Sequence, residues 1–194
     1  MDARTKTNLL RAFAGECQAR ARYEMAAKLA GQKGLAVLQD MFYFTANQEK
    51  EHAVIFYNFL KDVFKDENVS MMANYPVDLG QDLSSLLEAA AQHEYDEATS
   101  IYKQFGEEAK NEGYVEIATT FFMISEIENY HHERFKKYHN LFTSGKLFKE
   151  DSTIKWMCLN CGFIYEGNEA VTICPVCKHS QGYSLRLDET QFHV

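Results

Sequence analysis

Glu49-Lys-Glu-His52 and Glu128-Asn-Tyr-His131 decide how this chain folds. Each sets a glutamate and a histidine three residues apart, one turn along a single helix face. At alternating steps of three and four residues, the face carrying the second pair reads Ile117, Phe121, Ile124, Glu128, His131, Phe135, Tyr138, Phe142. The face carrying the first reads Leu38, Met41 or Phe42, Thr45, Glu49, His52, Phe56, Phe59, Val63. Ionisable groups interrupt both apolar seams at the same height. Two more stripes show the same break: Leu83, Leu87, Ala90, Glu94, Glu97, Ile101, Phe105, and Leu9, Phe13, Glu16, Arg20 or Ala19, Tyr23, Ala27, Ala30.

Seven ionisable side chains, five Glu and two His, therefore point inward about midway along four helices. An unpaired buried carboxylate costs several kcal/mol, against a total stability of about 5 to 15 kcal/mol. The cluster needs cations, and Arg20 is the only basic residue on the stripes that could offer one. Two divalent metal ions would nearly neutralise the five glutamates. A Glu-x-x-His on each of two helices, with acids from the other two, is the pattern of di-iron and di-manganese carboxylate bundles. The halves also look duplicated, because Glu16 precedes Glu49 by 33 residues and Glu94 precedes Glu128 by 34. Glu51, Glu126, His132 and His139 fall off the stripes and are read as surface charges; His93 points away if Glu94 points in. Tyr23 and Tyr102, a turn or two from Glu16 and Glu94, are read as core, with a hydrogen bond to a ligand carboxylate as the alternative.

Glycines punctuate the helical region. Gly31 and Gly34 separate a helix over about 5 to 30 from one over about 35 to 64, and Gly113 separates helices over about 82 to 111 and 114 to 143. The stretch 65 to 81, with Asn68, Ser70, Asn74, Pro76 and Gly80, reads as a long crossover, so two hairpins form a ferritin-type four-helix bundle over residues 1–147. Beyond it, Thr153 to Trp156, Phe163 to Tyr165 and Tyr183 to Leu187 are short and β-prone, and 151–194 is expected to be a separate small β-rich domain needing a metal staple.

That staple is visible. Of five cysteines, Cys158, Cys161, Cys174 and Cys177 form two Cys-x-x-Cys knuckles, a tetrahedral thiolate site for zinc or iron. Trp156, Phe163 and Tyr165 surround the knuckles, as a shield for a redox centre or simply as core. Cys17 is expected to be a semi-buried hydrophobe. A net charge of −8, from 28 acidic and 20 basic residues, argues against nucleic acid as a partner. No apolar run is long enough to span a bilayer or to act as a secretory segment, so a soluble, cytoplasmic protein is expected.

The Cys-x-x-Cys-Gly-x-x-Tyr and Cys-Pro-x-Cys knuckles resemble a rubredoxin centre. Joined to this bundle, with its Ala14-Gly-Glu16-x-Gln-Ala-Arg20-x-Arg-Tyr23 segment, the whole chain resembles the rubrerythrins. The resemblance implies that Glu16, Glu49, His52, Glu94, Glu97, Glu128 and His131 hold two irons, with Glu49 and Glu128 bridging and one iron exchanging Glu97 for His52 on reduction. It implies a third iron on the four cysteines, and a peroxidase that reduces hydrogen peroxide to water in oxidative-stress defence. Electrons would come from an external donor, a rubredoxin or an NAD(P)H-dependent reductase. A head-to-tail homodimer or a higher oligomer is implied, since helices of about 27 residues are about 40 Å long and a mid-height site is far from its own tail. The competing readings are a ferroxidase or oxygen-reducing di-iron protein, and an iron-storage protein with a structural zinc ribbon. Zinc or manganese could occupy either site. Lys178 departs from the family pattern, where a small residue is common after the second knuckle.

Overall fold

The computed structural model describes residues 4–61, 68, 70–77 and 82–187. Val63, Gly80 and the tail 188–194 lie outside the described residues. Helix α1 spans Arg4–Gln32 and α2 spans Ala36–Phe59. A second hairpin follows, in which α3 (Leu83–Asp96), a π-helical turn (Glu97–Ile101) and α4 (Tyr102–Asn111) form one rod against α5 (Val115–Thr143). Among the described residues, no helix is long and apolar enough to cross a membrane.

The hairpin turns are built alike. After α1, Gly34 takes the left-handed conformation (φ 72°) and the amide of Leu35 reaches back to the carbonyl of Ala30 at 3.0 Å. After α4, Gly113 (φ 85°) lets Tyr114 reach Ala109 at 2.9 Å. A side chain at either glycine would be strained, so these residues stop the helices and reverse the chain. Asp82 starts α3 by accepting the amide of Ser85 at 3.0 Å. The crossover is strapped down at Tyr75, whose hydroxyl donates to the carbonyl of Arg11 at 2.8 Å, and at Met72, whose carbonyl accepts the Arg11 guanidinium.

Two apolar clusters lie above and below the acidic layer. One, toward the α1–α2 turn, joins Tyr23, Leu38, Phe42, Leu87 and Phe135; the other joins Leu9, Phe56, Tyr102, Ile117 and Phe121. The third rod departs from an unbroken α-helical seam. Within the π turn the amide of Tyr102 bonds the carbonyl of Glu97, five residues back, which inserts one residue into the helical phase. Ile101, expected inside, is 37% exposed, and Ala98 and Tyr102 take the core positions.

The small unit is a three-stranded antiparallel sheet, ordered β2 (Ile164–Glu169), β1 (Lys149–Cys158), β3 (Ser184–Arg186). Trp156 is its fully buried centre, donating from Nε1 to the carbonyl of Gly167 at 3.0 Å beneath the Arg186 guanidinium. Arg186 also bonds Glu150 and the carbonyls of Lys146 and Lys149, fixing the segment between the two units. The sheet sits on the end of the bundle: Leu185 and Leu147 enter the first apolar cluster. Gly182 lies so close to Gly34 that a Cβ there would fall 1.8 Å from the Gly34 carbonyl oxygen.

Candidate metal centres

Six of the seven inward-facing residues meet in the acidic layer. Glu16, Glu49, Glu94, Glu128, His52 and His131 are buried and come from all four rods of the bundle. Their ligand atoms form two quartets, Glu16, Glu49, His52, Glu128 and Glu49, Glu94, Glu128, His131, each gathered within 4.8 Å. Glu49 and Glu128 belong to both quartets, the arrangement of two bridging carboxylates.

The lone pairs converge where no protein donor stands. Oxygen atoms of Glu16, Glu49, Glu94 and both of Glu128 are buried without a hydrogen-bond partner, as is Nδ1 of His131. That nitrogen lies 2.7 Å from Glu128 Oε2 and 2.9 Å from Glu49 Oε1, close but without hydrogen-bond alignment. Each such orphan costs about 1–3 kcal/mol or more, which a bound cation removes. The residues therefore fit a pair of divalent metal ions.

Proton affinities describe the same strain. Burial, then the Glu49 carboxylate, pushes the Glu94 carboxyl up to about 8. Burial raises Glu16 as well, helped by Glu128. Glu49 is held down at about 2 despite its burial, because the nearby charge of His131 and the hydrogen-bonded His52 favour its ionised form. Two phenols brace the layer: Tyr102 donates to Glu16 Oε1 at 2.6 Å, and Tyr23 donates to Glu94 Oε1.

Glu97 stands apart. It begins the π turn, is half-buried, and belongs to neither quartet, whereas His52 Nδ1 lies 3.0 Å from Glu128 and 3.1 Å from Glu49. Glu97 lines a cavity of about 640 Å³ that also touches Arg11, Gly15, Tyr75, His93 and Tyr102. Burial and Glu16 raise its carboxyl well above the ordinary range. Of the two residues said to exchange, the one in place here is His52.

Several polar residues differ from their sequence reading. Arg20 faces outward and pairs with Glu24 at 2.8 Å, Ala19 taking the inward position. Cys17 is exposed. His132 and His139 are half-buried bridges between α5 and α3 rather than surface charges, bonding the Ala91 carbonyl at 2.7 Å and the Ser84 hydroxyl at 3.3 Å. Sequence reasoning missed Gln48 and Arg134, which stand behind His131. Gln48 is next to Glu49 and Arg134 lies one turn past His131, and those spacings were the available signal.

The four tail cysteines also converge. Cys158 and Cys177 Sγ are 3.6 Å apart, Cys161 and Cys174 3.7 Å. A tetrahedron with metal–sulfur bonds of about 2.3 Å has edges of about 3.8 Å, so the cage fits one ion. The two knuckles repeat one geometry: Gly162 (φ 73°) donates to the Cys158 carbonyl at 2.8 Å, and Lys178 (φ 66°) to that of Cys174 at 3.0 Å. Lys178 occupies a left-handed position that suits glycine, and its ammonium turns onto the Pro175 carbonyl at 2.9 Å. The His179 amide, pointing at Cys177, is the chief cause holding that thiol at about 5.

A bundle with two overlapping carboxylate–histidine quartets, joined to a four-sulfur knuckle domain, defines a ferritin-like di-iron protein fused to a rubredoxin-like domain. Comparison with known sequences agrees: the family model for rubrerythrin matches residues 7–139, and that for the rubrerythrin rubredoxin-like domain matches 156–183. The chain belongs to the rubrerythrin family, and it carries the ligand sets of that family's di-iron and rubredoxin-like iron sites. It is 44% identical to a rubrerythrin of Clostridium perfringens over 96% of both chains, and 36% identical to one of Nitratidesulfovibrio vulgaris over 93% of both. The fold matches that of nigerythrin in its fully reduced, all-ferrous state, with a TM-score of 0.64, at 24% identity over 96% of this chain and 87% of that one.

Proposed function

We propose that the protein is an oxidoreductase that reduces hydrogen peroxide to water, each turnover consuming two electrons and two protons. The observation that carries this reading is that one chain holds both a two-metal carboxylate site and a four-sulfur site. Glu16, Glu49, His52, Glu94, Glu128 and His131 would hold two irons, which supply the two electrons when bound. The four cysteines would hold a third iron, which when bound would supply one-electron transfer from an external donor, a rubredoxin or an NAD(P)H-dependent reductase. A storage protein has no use for such a relay.

The chain's own groups bind the substrate and supply protons. The cavity beside Glu97 admits a small polar molecule, and Gly15 leaves its floor open between Tyr75 and Glu97. Glu97 is the half-buried carboxyl on its wall, favoured in the protonated form by burial and by Glu16, and is placed to give a proton to an oxygen arriving there. Tyr102 and Tyr23 keep Glu16 and Glu94 oriented as charge moves in the layer.

The relay runs between copies, in a head-to-tail homodimer. A chain's own four-cysteine domain rests against Gly34, and Glu16 lies eighteen residues earlier on α1, about 27 Å along the helix. A second, reversed copy brings its sulfur site alongside. The setting is the cytoplasm and the role is defence against oxidative stress.

Anaerobic reduction followed by stopped-flow mixing tests the reading. Hydrogen peroxide should oxidise the carboxylate site faster than dioxygen at equal concentration. Oxidation much faster by dioxygen would favour the ferroxidase alternative instead.

A further inference from the structure

His131 and His52 occupy matching places in the two halves, yet their surroundings differ. Residues 79 apart correspond: Glu49 with Glu128, His52 with His131. Behind His131 stands a polar chain. Its Nε2 meets Gln48 Oε1 at 3.0 Å, the same oxygen accepts Arg134 Nη1 at 3.0 Å, and Arg134 Nη1 also donates to the buried Thr45 hydroxyl at 3.0 Å. The guanidinium packs over the Phe44 ring, 4.9 Å from its centroid. The counterparts of Thr45, Gln48 and Arg134 are Ile124, Ile127 and Ile55. His52 makes its contacts with the layer through Nδ1.

The chain fixes a proton. A guanidinium only donates, so the Gln48 atom facing Arg134 must be the carbonyl oxygen, an acceptor. The His131 nitrogen on that same oxygen must then carry the hydrogen. Nε2 is therefore the N–H, and Nδ1 turns toward Glu49, Glu94 and Glu128 with its ligand lone pair.

We infer that Gln48 and Arg134 are positioning residues that lock His131 in one tautomer and orientation, whereas the isoleucines at the corresponding sequence positions of the other half offer His52 no such hydrogen bond. This rests on the two-metal site and not on the oxidant consumed there.

The test uses the full-length chain with its four-cysteine site filled and its bundle site empty, titrated anaerobically with ferrous ion by calorimetry. Gln48→Leu should weaken one of the two bundle ions by about 10- to 100-fold and leave the other within about twofold. Gln48→Glu still accepts both donors and should bind both ions as the parent does. Arg134→Leu should weaken the same ion less, and adding it to Gln48→Leu should cost nothing further, because Arg134 acts through Gln48. Cobalt(II) substitution supplies a readout that general loosening of the fold does not mimic: the parent should show one slowly exchanging imidazole N–H resonance, lost in Gln48→Leu and retained in Gln48→Glu. If Gln48→Leu fails to fold, Arg134→Leu carries the test, since the same resonance must exchange faster and the same ion must weaken. Unchanged affinities and an unchanged resonance in either folded Leu variant would overturn the inference.

Discussion

The hydroxyl of Tyr102, the first residue after the π turn, donates a 2.6 Å hydrogen bond to Oε1 of Glu16 on α1. The extra residue of that turn is what brings Tyr102 inward; on an unbroken α-helix Ile101 would occupy the seam. Tyr102→Phe leaves a buried carboxylate oxygen without its donor. The metal-free protein should lose about 1–3 kcal/mol, read as a shift in urea midpoint at constant m-value. Parental stability would mean that the phenol merely packs.

The metal-free bundle should become less stable as pH rises from 5 to 8. Glu94 titrates near 8 in the folded chain against 4.5 unfolded, Glu16 and Glu97 are raised in the same sense, and both histidines are raised above 6.5 by the facing carboxylates despite their burial. Folded protein therefore holds more protons than unfolded. That stability is complete below the unfolded pKa values and is lost as pH climbs through the folded ones, at about 1.4 kcal/mol per pH unit for each group in transit. The lowered Glu49 acts oppositely, but only below pH 4.5. Metal ions displace these protons, so the iron-loaded protein should lack the decline. Thermal melts with and without metal would decide; a metal-free protein that gains stability over this range contradicts the picture.

His52 and Glu97 should respond differently to replacement in the reduced state. His52 stands within a quartet and Glu97 outside both. His52→Ala should weaken ferrous binding by roughly tenfold or more, as loss of a direct ligand exceeds the 10-fold floor for an outer partner. Glu97→Gln should leave it nearly unchanged. Anaerobic titration with a chromophoric chelator measures both, and equal losses would place Glu97 among the reduced-state ligands.

Lys178→Gly should stabilise the small domain. Its backbone sits at φ 66°, where a side chain costs about 1–2 kcal/mol, offset in part by the entropy of glycine. Slower loss of metal to a chelator is the expected result. Faster loss would show that the ammonium on the Pro175 carbonyl outweighs the strain.

Much of this architecture is legible in the sequence because burying a carboxylate in an apolar seam is costly enough to need a cause. Glu16, Glu49, Glu94 and Glu128 interrupt their stripes at one height and are found buried there. What escaped is what periodicity does not encode. Neither proline nor glycine marks the π turn, so the one-residue slip that exposes Ile101 leaves no trace in composition, and the stripe does not show that Glu97 stands outside the quartets. Gln48 and Arg134 sit on stripe edges, where a polar residue looks like ordinary helix surface. His132 and His139 reach α3 by side-chain direction, which spacing alone does not give.

The central claim is that buried carboxylates are gathered around two metal ions. Diffraction from iron-loaded crystals at the iron absorption edge tests it most directly. Two anomalous peaks should appear within the bundle, one in each quartet with Glu49 and Glu128 between them, and a third among the four cysteines. A bundle interior with no anomalous signal, in protein whose four-cysteine peak is present at full height, would contradict the account.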